Sequence, residues 1–487
     1  MGLLMPAKRK RVARVKVAPL QRAAKKLRQQ VERRQLPGYL AIVIKDGKLV
    51  FSAQHGLADL CGGAKLTCNT LVRLYSQTKP ITIVGFMLLW ENGQVKLDDP
   101  VSKYIPEFKT VKVRSRRGTL SAPSQPIRVH DLLAHTSGIG FGAGFGYEPE
   151  NEYERTYSNL VQKVDDGQLK SIRQWCSGLT KLPLQFHPGK DWGYGYSSDV
   201  LGRIIEIVSN RPLDEYLRTE VLQPLGMHDT DFAVPKQKLH RLAALYKREP
   251  WDGQAQQVTF YTCDAGGSGR LCSGRRVVTD ERLLKGRSSS QSAFCEKGLA
   301  SQLLQGGGCV GSVAGGLVST LRDWSRFGQM LLNSGELHGV RLLQSSTVKL
   351  LARDWLNDFT MRKRRSPLWV WGTPGIGFSP LGQIGVRYAG AKGRRCVGAA
   401  VDTVHWGGAG GSGYMLNWPH KLLVLTYTGC AFDTATQKLM WSAALQAVGS
   451  RRSRRMHKAA SAASTGRERR ATSQGLQGRS KRRRTGS

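Results

Sequence analysis

The chain has 487 residues, 40% hydrophobic and 8% aromatic, enough to bury a sizeable core in two or three domains, which excludes a disordered or fibrous protein. Its formal net charge of +39 is unevenly placed: residues 1–36 carry twelve Lys/Arg against one Glu and residues 451–487 thirteen against one, so the middle is only moderately basic. No run reaches the roughly 18 apolar residues of a membrane span, and the opening MGLLMPAKRKRVARVKVAP lacks the apolar core of a secretory signal, so a soluble intracellular protein, cytoplasmic or nuclear, is expected.

Dense like charge with few apolar groups predicts disordered basic tails at 1–36 and 449–487 around one folded region, 37–448. The clusters AKRKRV and RSKRRR have the composition of nuclear import signals and could neutralise phosphates. Unspecific tails are the plainer reading, with weak binding of nucleic acid or acidic partners as the alternative. Nine scattered cysteines without a C-x-x-C pair argue against a zinc site or a disulfide framework and for free thiols.

In chain order, a weakly helical basic segment, Leu20 to Leu36, precedes two β-rich runs, Leu40–Ile44 and Leu49–Ser52. Between them Lys45-Asp46-Gly47-Lys48 carries the Asp-Gly hairpin signal. An apolar helix follows Lys79 and ends at Asn92-Gly93; residues 111–127 read as an exposed loop. From Val129 to about Thr230 the pattern is helical, clearest over Asp199–Val208, where Val200, Leu201, Ile204, Ile205 and Val208 share a face. Residues 246–308 lose apolar content and read as a long surface insertion. Thr320 with Asp323 marks a helix start, and Trp324, Phe327 and Leu331 give its buried stripe. Strand-like runs at Val397–Val401 and Leu422–Thr428 flank a Gly-rich turn, and a closing helix over Asp433–Val448 takes Asp433 as N-cap.

Strands at both ends and helices between predict an α/β (α+β) fold: an antiparallel β-sheet flanked by N- and C-terminal helices, interrupted by a mainly helical domain. The sheet part covers about 37–110 and 310–448, and the helical part about 111–309.

The chemistry centres on RLYSQTKPIT, residues 73–82, where Ser76 and Lys79 stand one helical turn apart at the head of a buried helix. There the serine hydroxyl meets the positive end of the helix dipole, and a partly desolvated lysine amine can take its proton. A Ser N-cap followed by a snorkelling Lys is the bland alternative for this spacing. His135 invites a Ser-His reading and Asp98 and Asp99 an acid/base one. Ser312 is not centred in a G-x-S-x-G, and Gly306–Gly315 lacks the ending of a phosphate loop.

Other stretches bear on the choice. SQTKPIT, LDDPVSKYIPEF, IRVHDLLAHTSGIG, PGKDWGYGYSSDVLGRIIEIVSNRPLDEYL, VLQPLGMHDTDF and GGLVSTLRDWSRFGQMLLNSGELHGVRLL occur in that order. Together they make the chain resemble the serine β-lactamase and penicillin-binding-protein-like superfamily, in its class C β-lactamase, family VIII esterase and transesterase branch. The resemblance implies that Ser76 is acylated and that Lys79 assists it. It places Tyr194, after Pro188-Gly189-Lys190-Asp191-Trp192-Gly193, at the family's tyrosine, with Tyr196 a weaker candidate. A phenol beside an ammonium loses its proton more readily and would serve as general base, then acid. The family's asparagine after that tyrosine is absent.

Trp406-Gly407-Gly408 stands where K-T-G is usual, as in esterase members, so no cation grips a β-lactam carboxylate. The second oxyanion N–H would come from Ala409, joining that of Ser76. Glycines suit this place because substrate approaches the backbone closely. His135 and the acidic pair are turn residues in this frame. The implied function is a serine hydrolase forming an acyl-enzyme on a small-molecule ester or acyl substrate, an esterase or acyltransferase, without metal or organic cofactor. The alternatives are a β-lactam or D-amino-acid peptide hydrolase, or a non-catalytic protein of this fold whose tails bind nucleic acid or acidic partners.

Overall fold

The computed structural model describes residues 15–60, 62–115, 117–142, 151–165, 168–249, 259–262, 316–356, 376–385, 388–389, 394–395 and 402–449. Most of the basic tails, most of the 246–308 insertion, the Ser312 region and the run Val397–Val401 lie outside these residues. The chain divides into two compact units, residues 1–26 with 438–487, and residues 27–437.

Helix α1 (Ala18–Glu32) opens the described chain, and in the first unit the Lys16 N–H donates to the Ala447 carbonyl at 2.8 Å. Ordered structure thus starts well before residue 37, correcting the tail boundary. The cause is an apolar stripe: Leu20, Ala23 and Leu27, at helical spacing, are buried beneath a charged outer face.

The second unit is built on a seven-stranded antiparallel sheet in the order β3-β4-β5-β6-β7-β1-β2. Its strands are β1 (Gly38–Lys45), β2 (Lys48–Gly56), β3 (Ile376–Ser379), β4 (Gly382–Gly385), β5 (Thr403–Gly408), β6 (Ser412–Asn417) and β7 (Leu422–Tyr427). Asp46 and Gly47 both take positive φ, 49° and 76°, the two-residue turn that the Asp-Gly signal predicts. Strand β1 is buried along its whole length because it lies between β2 and β7, with Leu40 opposite Tyr427 and Lys45 opposite Leu422. That pairing zips the N-terminal hairpin to the C-terminal strands.

Between β2 and β3 come the helices. Helix α2 (Thr78–Glu91) is apolar on every side, and its residues Thr78 to Met87 are all buried, as an all-round apolar helix must be. The stretch read as helical holds α3 (Val129–Ala134), α4 (Glu152–Asp165), α5 (Ile172–Thr180), α6 (Ser197–Ser209) and α7 (Leu213–Leu217). Helix α8 (Leu321–Leu332) starts where expected, the Thr320 hydroxyl accepting from the Asp323 N–H at 3.0 Å. The closing helix α9 (Thr434–Ala447) likewise begins after Asp433, whose carboxylate accepts from Thr436 N–H. Tyr246–Glu249 pairs with Thr259–Thr262, and Tyr246 is fully buried, so the surface insertion begins later than residue 246.

Among the described residues no helix is long and apolar enough to cross a membrane. Among the described residues Cys68 and Cys176 are free thiols.

Candidate active site

From Thr70 to Met87 every residue is buried except Ser76. The chain reaches it through strand residues Val72 and Arg73, which pair with Ser319 and Val318, and through the Leu74 N–H, which donates to Leu317 O at 2.9 Å. The Thr78 hydroxyl then accepts from the Leu317 N–H at 3.0 Å, so both sides of the serine are tied to one neighbouring segment. Tyr75, immediately before Ser76, has φ +48°, a conformation costly for a bulky residue and held here by full burial. Ser76 sits in a single 3-10 turn, Tyr75–Gln77, and the N-cap of α2 is Gln77. The capping alternative for Ser76 is therefore excluded.

Its hydroxyl meets two other groups instead. Lys79 Nζ lies 3.2 Å and the Tyr194 hydroxyl 2.8 Å from Ser76 Oγ. Lys79 Nζ is also 5.0 Å from the centre of the Tyr194 ring. The three side chains that the sequence singles out, two from one turn and one from 118 residues away, converge on one point. Lys79 does not snorkel: it is 4% exposed.

Burial decides the charge states. It lowers the Lys79 ammonium from 10.5 to about 7, against the pull of the Asp199 carboxylate, so a large share of the amine is neutral near neutral pH. It raises the Tyr194 phenol above its ordinary value, with Asp199 adding to the rise, while hydrogen bonds with Ser76 and Trp406 offset only part. Burial thus works against the easily ionised phenol that was expected and toward a neutral amine. Asp199, fully buried at the start of α6, acts on both groups yet carries no signal in the sequence beyond its place before an apolar stripe.

Trp406 lies beside Tyr194, ring centres 5.4 Å apart. An indole thus occupies the place where a cation was expected to be missing. Strand β4 pairs with β5 only at Val404 and His405, so among the described residues Trp406 to Gly408 have β6 as their paired side. The protein's own atoms crowd both glycines. A Cβ on Gly408 would stand 2.1 Å from Leu74 O, and one on Gly407 2.9 Å from the Gln437 amide. Strand β5 therefore presses directly on the turn carrying Ser76. Ala409 follows, packed with Tyr75, its carbonyl accepting from Phe432 N–H at 2.8 Å.

Tyr196 goes elsewhere. It is 1% exposed and packs with Phe141, Tyr157 and Trp175 at ring distances of 5.2, 6.3 and 4.9 Å. With no surface to offer a substrate it is a core residue, which corrects its place among the candidates. Asp99 accepts from Lys103, Tyr104 and the Lys96 N–H, the turn role expected of it. Phe378, 5.4 Å from His135 and 5.6 Å from Trp406, joins the aromatic wall without any sequence signal. A groove of about 780 Å³ lined by Glu107, Lys163, Arg173 and Lys181 contains none of these groups.

The Beta-lactamase family model matches residues 23–448. The chain belongs to the Beta-lactamase family. Protein Rv1367c of Mycobacterium tuberculosis (strain ATCC 25618 / H37Rv) is 30% identical over 401 residues, covering 80% of this chain and 85% of its own. Esterase EstB of Burkholderia gladioli is 34% identical over 235 residues, 47% of this chain and 54% of its own. Among solved structures, EstCE1, a hydrolase with promiscuous acyltransferase activity, superposes with TM-score 0.62 over 88% of this chain and 98% of its own at 21% identity, a likeness of fold. The Beta-lactamase-fold family of serine hydrolases thus holds esterase and acyltransferase neighbours of this chain.

Proposed function

We propose that this protein is a serine hydrolase that forms an acyl-enzyme on Ser76 and acts on carboxylic esters, passing the acyl group to water or to an alcohol. The observation that carries this reading is the meeting of Lys79 Nζ and the Tyr194 hydroxyl at Ser76 Oγ, on the one accessible residue of a buried stretch.

Neutral Lys79 accepts the Ser76 proton as Oγ attacks the ester carbonyl, leaving an ammonium and a tetrahedral oxyanion. The N–H groups of Ser76 and Ala409 bind that oxyanion. On collapse, the Tyr194 phenol gives its proton to the departing alkoxide and is reprotonated by Lys79, which returns to the neutral amine. Deacylation runs the same transfers backwards: the incoming water or alcohol yields its proton through Tyr194 to Lys79, and Ser76 leaves reprotonated. An intact phenol and a neutral amine are the starting states this cycle needs, and they are the states burial favours.

Esters are preferred to β-lactams because Trp406, not a cation, stands at the K-T-G position, and because no asparagine follows Tyr194. The test is a panel of short-chain nitrophenyl esters set against nitrocefin. Turnover of the esters and none of nitrocefin is expected; the opposite pattern would give the site to β-lactams.

A further inference from the structure

The segment His135-Thr136-Ser137 is packed along the stretch that carries Tyr194, and the proposed acyl-transfer cycle uses none of it. The Gly189 N–H donates to Thr136 O at 2.8 Å and the Gly193 N–H to His135 O at 3.0 Å. Beyond the tyrosine, Ser137 Oγ and Ser197 Oγ are 2.9 Å apart. The backbone is thus fastened on both sides of Tyr194. Between those fastenings the His135 ring stacks on the phenol, centres 4.9 Å apart and planes at 29°, and stands edge-on to Phe378 at 5.4 Å. His135 is 2% exposed, and its Nδ1 is buried with no hydrogen-bond partner among the described residues.

That arrangement is not what a helix cap alone requires. His135 closes α3 with φ +56°, a left-handed conformation that Asn adopts more readily than most residues. An Asn would cap the helix and keep the Gly193 bond. It would not fill the space against the phenol.

We infer that His135 is a positioning residue: its ring holds the Tyr194 phenol at Ser76 and keeps water from the Lys79 amine. The inference rests on the proposed role of Ser76. Burial, then the nearby Lys79 charge, lowers the imidazole to about 3, so the ring stays uncharged beside the amine. The groups that face this corner are Lys79, Tyr194 and the Asp199 carboxylate, which acts on both. With the ring removed, water reaches the ammonium form of Lys79, whose pKa then rises above about 7.

The experiment compares His135→Asn and His135→Phe with the unaltered chain, using nitrophenyl ester kinetics across pH and labelling of Ser76 by a fluorophosphonate. For His135→Asn a loss on the order of tenfold or more in kcat is expected, with KM little changed and the acid limb of kcat/KM moved to higher pH. His135→Phe restores the stack and recovers most of kcat with the original limb. An Asn variant with native kcat and native pH profile overturns the inference, and so does a Phe variant as impaired as the Asn one. If Ser76 takes no label in the unaltered chain, the acyl-enzyme reading itself fails and this inference falls with it; a labelled Ser76 beside a native-like Asn variant sinks the positioning role alone.

Discussion

The Tyr194 hydroxyl stands 2.8 Å from Ser76 Oγ, although 118 residues of chain separate them. Local preference cannot bring them together. The encounter is made by the H-T-S-G segment, which holds Gly193 and Ser197 in place, and by strand β5, whose Gly408 abuts the Leu74 carbonyl beside the serine.

Ser76→Ala should abolish ester turnover with little change in melting temperature. The hydroxyl caps no helix, so its loss should cost no more than about 1 kcal/mol. Rates on nitrophenyl acetate and a thermal melt, measured on the same preparation, check both halves; full activity in this variant would falsify the nucleophile assignment.

Tyr194→Phe keeps the ring against His135 and Trp406 but removes the proposed proton carrier. A loss on the order of 100-fold in kcat is expected, with KM nearly unchanged. Single-turnover kinetics should show both acylation and deacylation slowed. Slowing of neither step would remove the phenol from the cycle.

In the proposed cycle Lys79 sets the pH dependence. The neutral amine is its working form, so kcat/KM should rise with pH through about 7. Asp199 raises the Lys79 pKa, so Asp199→Asn should move that limb to lower pH. A limb that stays put, or moves upward, would mean that another group titrates.

The same shift has a signature in stability. Between about 7 and 10.5 the unfolded chain binds a proton at Lys79 that the folded chain does not, so this group makes stability rise with pH across that window. Below about 7 both states are protonated and the full cost of burying the ammonium is carried. Lys79→Met should therefore stabilise the fold at pH 6 by about 2–5 kcal/mol, and the gain should shrink toward pH 10. Urea unfolding at the two pH values checks this; a variant less stable than the parent at pH 6 would contradict it.

Elements whose signals are local were legible in the sequence. Asp46-Gly47 names its own turn, Thr320 with Asp323 names a helix start, and the apolar run after Lys79 can only be buried. The three side chains that meet at Ser76 Oγ were legible for another reason: the resemblance carried them residue by residue. What failed was whatever depends on depth. The sequence does not say that Tyr196 faces the core while Tyr194, two residues earlier, faces the serine, since that turns on the loop between Trp192 and α6. Nor does it say that burial would raise the phenol and lower the amine, because desolvation is a property of the packed surroundings. The weakly helical segment from Leu20 was assigned to a disordered tail because charge masked its depth: Leu20, Ala23 and Leu27 keep a buried stripe among many Lys and Arg.

The most direct measurement is mass spectrometry of the whole chain after reaction with a fluorophosphonate, followed by peptide mapping of the adduct. One adduct per chain on Ser76, absent from Ser76→Ala and slowed by Tyr194→Phe, is the predicted result. A chain that hydrolyses esters yet carries the adduct on another residue would contradict it.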